Sequence, residues 1–481
     1  MNIKNHIFKN FSSKKHISEK KGFLQPERLK ELILEHGRKK LDTIYLGFVN
    51  PYSSLSTIEV NPDLYLKKFE EKGVYISSNN FFTDIEGKYF YGDKNNKINK
   101  QFLLKPDLST IRNMGWSKNN SVLIFCDVYD TETNELSEVS PRSILKKKLN
   151  EFTNQGLTLN CASELEYYLY QKPYSDNVKK GLKSLKEVGS VNEDYLIQQG
   201  DLLEFVNEPY RTKLKDSGIE IETTKGEAAI GQHEINMKYS QAMEQSDNAL
   251  VLKAAMKSIS DQNKTTITFM AKPEIHKSGS SCHLHLSVFD KMTGKNIFVG
   301  DEYKLTNTLT CSNNLLYFLG GIMKYSLDTF IMFAPTINSY KRYKSFSWAP
   351  TNLDSWSYDN RTSPFRICGS GNNLRVEYRP PGGDANQYLS YSAVIAAGIK
   401  GLKEKIQPPE VFKGSSYENK NFKKPPIDLA EALDYFKNSE FIKDSFSKKE
   451  YDFICSFYEN EVEEYERNVT EWEQKRYFYM I

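Results

Sequence analysis

Apolar positions along the chain switch between two periods. In PERLKELILEHG, Leu29, Leu32 and Ile33 recur at helical spacing. Pro26 suits the first turn and Gly37 supplies a stop, so the pattern predicts a helix. Between Leu41 and Asp127 the period shortens. TIYLGFV, GVYISS, KYFYGD and SVLIFCDV are short runs rich in aromatic and β-branched residues, and they predict a small mixed sheet. The polar run GDKNNKINK, residues 92–100, predicts a surface loop. Helical spacing returns in SPRSILKKKLNEFTNQG, with Ser140 as cap, Pro141 at the first position and Ile144, Leu145, Leu149 and Phe152 on one face. From there to about residue 405, helical and strand-like stretches alternate without a repeat, which is an α+β pattern. Two helices are expected after Pro408, starting near Asp428 and Ser447, each with a glutamate three residues on (Glu431, Glu450). The last, acidic stretch (ENEVEEYERNVTEWEQ) reads as a solvated element packed onto the rest.

Composition narrows the class. With 481 residues, 39% hydrophobic and 13% aromatic, the chain can bury a core in about two to four domains. A formal net charge of +3 gives no reason to expect nucleic acid or an anionic membrane as partner. Six cysteines without a CxxC pair exclude a disulfide scaffold or zinc ribbon and suit reduced thiols in a cytoplasmic protein. The most apolar stretch, residues 315–337, is broken by Lys324 and Asp328, so no membrane span is expected. The first 25 residues carry six lysines, one glutamate, no arginine and no apolar core. They read as a flexible basic arm rather than a secretory or mitochondrial leader.

Candidate chemistry lies in four strand-like segments whose alternate positions are polar. In CASELEYYLY, Glu164 and Glu166 share one face. GEAAIGQHEINMKY supplies Glu227, Gln232, Glu234 and Asn236; SCHLHLSV supplies His283, His285 and Ser287; NLRVEYRP supplies Arg375, Glu377 and Arg379. Any one of them alone reads as a half-exposed strand with its polar face in water. Together they hold carboxylates, histidines and arginines rather than the usual Lys, Thr and Ser. Paired carboxylates turned inward need a cation, and oxygen ligands with an occasional imidazole suit Mg²⁺ or Mn²⁺. Arginines beside such ions suit phosphate, so the pattern points to metal-dependent phosphoryl transfer. There is no P-loop, no kinase HRD or DFG set and no GxSxG elbow. SGSS (278–281) and GSG (369–371) are loops that could line a ligand.

From about Pro106 onward the chain resembles the glutamine synthetase family. The motifs PDLSTIRNMGW, SPR, SELEYYL, EAAIGQHEIN, TFMAKP, GSSCHLHLS, NSYKRY, DNRTSPFRI and RVEYRPPGGDANQYL occur in the family's order. After the basic arm over 1–25, the resemblance implies an N-terminal β-grasp domain over 26–128 and a catalytic domain over 129–481 with an antiparallel sheet curved into a half-barrel. It implies ATP as cosubstrate, two Mg²⁺ or Mn²⁺ per site, and glutamate with an amine or ammonia as substrates. Glu166, Glu227 and Glu234 match the ligands of one ion, and Glu164, His283 and Glu377 those of the other. Arg342 matches the glutamate α-carboxylate contact, and Arg361 and Arg379 the clamps on the phosphoryl group and substrate carboxylates. Arg366 and Arg375 match ATP-phosphate contacts, His285 and Ser287 nucleotide-side positions, and Gly279 the glutamate pocket. A homo-oligomeric ring of six or twelve copies, with sites shared between neighbours, follows from the same resemblance.

Some positions depart from the family pattern. Six residues after Arg342, where ammonia-using members carry a glutamate, stands Trp348, which is neither anion nor base. SWAPTN and DNRT are similar to the γ-glutamylpolyamine and γ-glutamylputrescine synthetase branch, where an aromatic wall lines the amine entrance and indole can hold an ammonium. Ser278 replaces an asparagine, Ser281 a glycine, and NPYL becomes NQYL at 386–389. The segment Asn50–Ile58 stands where relatives carry an acidic latch loop that reaches the next subunit, without the loop's acid, arginine and lysine. The leading expectation is an ATP-dependent ligase making a γ-glutamyl amide with an alkyl amine or polyamine. The alternatives are glutamine synthesis proper and a structural or regulatory family member with impaired catalysis.

Overall fold

The computed structural model describes residues 21–35, 40–90, 100–192, 194–344, 348–419 and 421–481. Most of the basic arm and of the 92–100 loop thus lies outside the described residues. The N-terminal sheet comprises β1 (Thr43–Val49), β2 (Leu55–Val60), β3 (Val74–Ser77), β4 (Gln101–Pro106), β5 (Arg112–Asn113) and β6 (Ser121–Asp130). Its order is β2-β1-β6-β4-β3, with β5 beside β6. β1 and β6 are parallel at the centre and antiparallel partners flank them. Every residue of β6 from Ser121 to Val128 is buried, which explains its unbroken apolar run.

The second sheet is built from β7 (Leu157–Gln171), β8 (Ile221–Gly226), β9 (Gln232–Met237), β10 (Ser240–Gln241), β11 (Thr265–Thr268) and β12 (Cys282–Asp290). A separate hairpin of β13 (Tyr303–Lys304) and β14 (Thr310–Cys311) follows, and then β15 (Trp356–Tyr358), β16 (Phe365–Cys368) and β17 (Arg375–Tyr378) return to the sheet. Its order is β15-β16-β17-β12-β7-β9-β8, with β10 and β11 also on β7. All four polar-faced segments are strands here and sit side by side at its centre. The sheet curls into a half-barrel. Leu165, Ile235, Leu284, Leu286 and Val376, fully buried, pack its outer face, flanked by the helices Pro141–Asn154, Ala242–Gln262 and Gln387–Glu404. One pair departs from the antiparallel expectation, since β15 runs parallel to β16.

Several local expectations change. KYFYGD forms no strand over its described residues: the Asp84 carboxylate accepts from the Glu86 and Lys88 amides and turns the chain, leaving one isolated bridge from Thr83 to Tyr89. Within Asn50–Ile58, residues from Leu55 on belong to β2, so the loop is short. Pro141 does open its helix, but Ser140 does not cap it; the hydroxyl is buried without a hydrogen-bond partner among the described residues. Among its described residues the region after Pro408 holds four helices, Leu429–Asn438, Glu440–Ser445, Lys448–Glu466 and Glu471–Tyr477. Ser447 and Glu450 form the full capping box, whereas Glu431 reaches back to Ile427 while Asp428 caps. The acidic stretch is split by a second capping box at Thr470 and Glu473. It is packed onto the rest through Glu461, which accepts from the Tyr52 hydroxyl at 2.6 Å, and Val462, which lies against the core.

A buried arginine ties the two sheets together. Arg142, at the start of its helix, reaches Asp107 after β4 (2.9 Å), Asp127 on β6 (2.5 Å) and Asp247 on the helix Ala242–Gln262 (3.1 Å). Burial works against the Asp107 charge, but Arg142 holds its carboxyl below the usual carboxylate range. Removing one member of such a cluster leaves the others charged and unpaired. Arg142→Met is expected to destabilise the fold by about 3–5 kcal/mol in urea unfolding at neutral pH. A loss below about 1 kcal/mol would show that the cluster is solvent-screened.

Candidate active site

Strand register sets the side chains that meet. Residues directly opposite on neighbouring strands point the same way, and the pairs here are Glu166 with Glu234, Glu234 with Lys225, Glu164 with His283, His285 with Glu377, and Glu377 with Arg366. The inner face of the curled sheet is therefore a band of ionisable groups. They assemble into two groups of possible metal ligands, Glu166, Glu227 and Glu234 in one, Glu164, His285 and Glu377 in the other, with ligand atoms within 4.8 Å in each. Three carboxylates, or two with an imidazole, form a donor set suited to Mg²⁺ or Mn²⁺. The expected second set contained His283 rather than His285. Both rings reach it: His283 Nδ1 lies 3.0 Å from Glu164 and 3.5 Å from Glu377, and His285 Nε2 lies 2.8 Å from Glu164.

Local partners hold most of these candidate ligands. Glu166 accepts from Gln232 Nε2 (3.0 Å), from the Ser281 amide (2.9 Å) and from the Ser281 hydroxyl. Asn236 donates to Glu234 at 2.8 Å. Arg375 Nε lies 3.0 Å from His285 Nδ1, and His285 Nε2 lies 2.8 Å from Glu164. Glu377, with no exposed surface, accepts from Arg366 (2.7 Å) and Arg379 (2.6 Å).

The electrostatics divide the carboxylates. Burial opposes the charge of Glu377, yet Arg379 and the two histidines hold its carboxyl down at about 2. Glu164 is likewise held well below the usual range, against burial, by hydrogen bonds to His283 and His285. Burial, followed by the charge of Glu164, instead pushes Glu234 up to about 8. The first group is the less compensated of the two, with Lys225 set against three carboxylates.

A cavity of about 860 Å³ opens onto this face. Glu164, Glu166, Glu227, Glu234, His283, Gly279, Arg342, Trp348, Arg361 and Arg379 line it. His285, Arg366, Arg375 and Glu377 stand at the strand face beside it, and Ser287 lies two residues beyond His285, half-buried. Gly279 is needed for close approach, since a Cβ there would lie 2.7 Å from the Ala271 carbonyl and from Arg342 Cγ. Arg342 is anchored by the Pro380 carbonyl at 2.5 Å. At the rim, Trp348 is 57% exposed and its backbone sits at φ +55°, an unfavourable conformation for a bulky residue. Its ring meets Tyr417 edge-on at 6.5 Å, and the Tyr417 hydroxyl donates to its carbonyl. Sequence reasoning missed Lys225, Tyr195, Tyr417, Asn236 as a partner of Glu234, and the bond from Ser281 to Glu166. Asn236 carried a signal in its place on the alternating face, and Ser281 in the SGSS loop, which does line the cavity. No residue of 50–58 lines this cavity.

Comparison with known proteins settles the kinship. The catalytic-domain model of glutamine synthetase matches residues 138–477. The chain belongs to the glutamine synthetase family. Among curated relatives, γ-glutamylethanolamide synthetase GlnA4 of Streptomyces coelicolor is 31% identical, covering 78% of this chain and 79% of its own. Glutamate–isopropylamine ligase of a Pseudomonas species is 30% identical over 94% of this chain and 98% of its own. Glutamine synthetase of Thermotoga maritima is 30% identical over 94% and 99%. In fold, the chain matches solved structures of GmaS, without ligand (TM-score 0.77) and with ADP (0.79), each at 23% identity over 91% of this chain and 97% of that one. Glutamine synthetases use ATP and divalent metals, and the two donor groups described above suit such ions. No helix among the described residues is long and apolar enough to cross a membrane.

Two expectations follow for the site. Ser281→Ala removes a donor from Glu166 and should weaken Mn²⁺ binding about tenfold in a water-relaxation titration; unchanged affinity would show that the hydroxyl is incidental. The raised Glu234 carboxyl keeps a proton in the metal-free fold that the unfolded chain releases near 4.5, so metal-free stability should fall as pH rises from about 5 through 8. The gain in melting temperature on adding Mg²⁺ is then larger at pH 8 than at pH 5.5. An equal gain at both would contradict the assignment.

Proposed function

We propose that the chain is an ATP- and divalent-metal-dependent carbon–nitrogen ligase that joins the γ-carboxyl of glutamate to an alkyl amine. The observation that carries this reading is the meeting of two acidic donor groups and three cavity arginines beneath an exposed tryptophan. In the first step a glutamate γ-carboxylate oxygen attacks the γ-phosphorus of ATP, the bond to the β-phosphate oxygen breaks, and ADP leaves. In the second the amine nitrogen attacks the γ-carbonyl carbon of the acyl phosphate, phosphate departs, and the nitrogen gives up a proton. Two bound dications, Mg²⁺ or Mn²⁺, would neutralise phosphate charge at the site.

The chain's own residues bind and orient. We assign Arg342 with Gly279 to the glutamate α-carboxylate end, and Arg361 and Arg379 to the transferring phosphoryl group and the substrate carboxylate. Arg379 Nε, buried without a hydrogen-bond partner among the described residues, is suited to such an anion. Arg366 and Arg375, with His285 and Ser287, are assigned to the nucleotide side. Held in place before the reaction, these donors stabilise developing negative charge without reorganising.

The acceptor rests on Trp348. Relatives named for ethanolamide, for isopropylamine and for glutamine are about equally identical to this chain, so identity does not choose among them. A half-exposed indole on a strained backbone, edge-on to Tyr417, supplies an aromatic surface for an alkyl group or an ammonium, and no base for ammonia. We further infer a ring of six or twelve copies, in keeping with a 50–58 loop that lies away from its own chain's cavity. The six cysteines, all buried and unpaired, suit the reducing cytoplasm.

A phosphate-release screen with ATP, Mg²⁺ and glutamate tests this. Release should require both glutamate and an acceptor, with alkyl mono-, di- or polyamines ahead of ammonia. Equal or faster turnover with ammonia than with every amine would overturn the acceptor assignment. Trp348→Glu should shift kcat/KM toward ammonia, relative to the best amine, by about tenfold or more.

A further inference from the structure

One cation in the site has no role in the reading above. Lys225 lies on β8 directly opposite Glu234 and two residues before Glu227. Its ammonium donates to the Glu227 carboxylate and stands 3.4 Å from Glu234 Oε2. It thus pairs with two of the three carboxylates of the first donor group. Its other neighbour is the Tyr195 ring, 5.0 Å away, on a segment of the cavity rim. Arg366 and Arg379 are committed to Glu377 by short bonds, whereas Lys225 carries its charge on a flexible four-carbon stem.

We propose that Lys225 is an internal stand-in for the first divalent ion: its ammonium occupies the place between Glu227 and Glu234 while the ion is absent, and must leave it when the ion arrives. This rests on the reading that Glu166, Glu227 and Glu234 hold a dication. An ammonium and a dication cannot share these carboxylates at contact distance without strong repulsion, so ion binding moves the ammonium off them. The Tyr195 face, already within cation–π range, offers the nearest place for it to rest. Lys225 therefore limits the collapse of the empty site and at the same time lowers its affinity for the ion, because only the fraction of molecules with Lys225 withdrawn can bind.

The test compares wild type with Lys225→Met and Lys225→Gln, the second guarding against a packing failure in the first. Titrated with Mn²⁺ alone, by calorimetry, both variants should bind one of the two ions about tenfold more tightly than wild type. Metal-free melting temperatures should drop in the variants while those at saturating Mn²⁺ stay near wild type, so that the metal-induced shift grows. A merely structural lysine would lower both temperatures together and leave affinity unchanged or weaker, and that result overturns the proposal. Wild type binding no Mn²⁺ would instead remove the underlying metal assignment, and with it this inference.

Discussion

The fold is organised around one electrostatic requirement, the accommodation of five carboxylates on the concave face of a single sheet. Glu164, Glu166, Glu227, Glu234 and Glu377 lie close together and largely out of water. Unpaired, such charges cost several kcal/mol each. The chain supplies part of the compensation itself, through Arg366 and Arg379 on Glu377, two histidines on Glu164 and Lys225 on Glu227 and Glu234. On the proposed reading dications would supply the rest, and the acidic band would then be a binding site as well as a strain on the empty protein.

Sheet geometry makes this possible. Alternation puts the carboxylates inward and Leu165, Ile235, Leu284 and Val376 outward against the helices, so the core fixes the strands whose polar face would otherwise repel. Register then decides pairing: a one-residue slip of β9 would turn Glu234 into the core and Ile235 into the cavity. Arg142 extends the same logic to the other sheet, where a single buried guanidinium joins Asp107, Asp127 and Asp247.

The inward face was legible because its residue types are unusual for a solvated strand. The alternating Glu, His and Arg of SELEYYL, SCHLHLS and NLRVEY named most of the site without knowing which strands pair. Lys225 was not legible. A lysine at a strand end normally faces water, and only the pairing of β8 with β9 places it opposite Glu234. Ser281 looked like a departure from a glycine pattern, and its bond to Glu166 depends on a turn that sequence does not specify. Tyr195 and Tyr417 come from irregular segments with no period to read. PDLST and SPR were recognisable as motifs, yet the ionic strut from Asp107 to Arg142 needed three-dimensional proximity. The misread KYFYGD shows the reverse failure, where β-prone residues are overruled by the Asp84 turn.

Anomalous diffraction from crystals grown with Mn²⁺ tests the central claim most directly. The account predicts two peaks per chain, one enclosed by Glu166, Glu227 and Glu234, the other by Glu164, Glu377 and a histidine of the 283–285 pair. Peaks confined to other places, or none at saturating Mn²⁺, would contradict it.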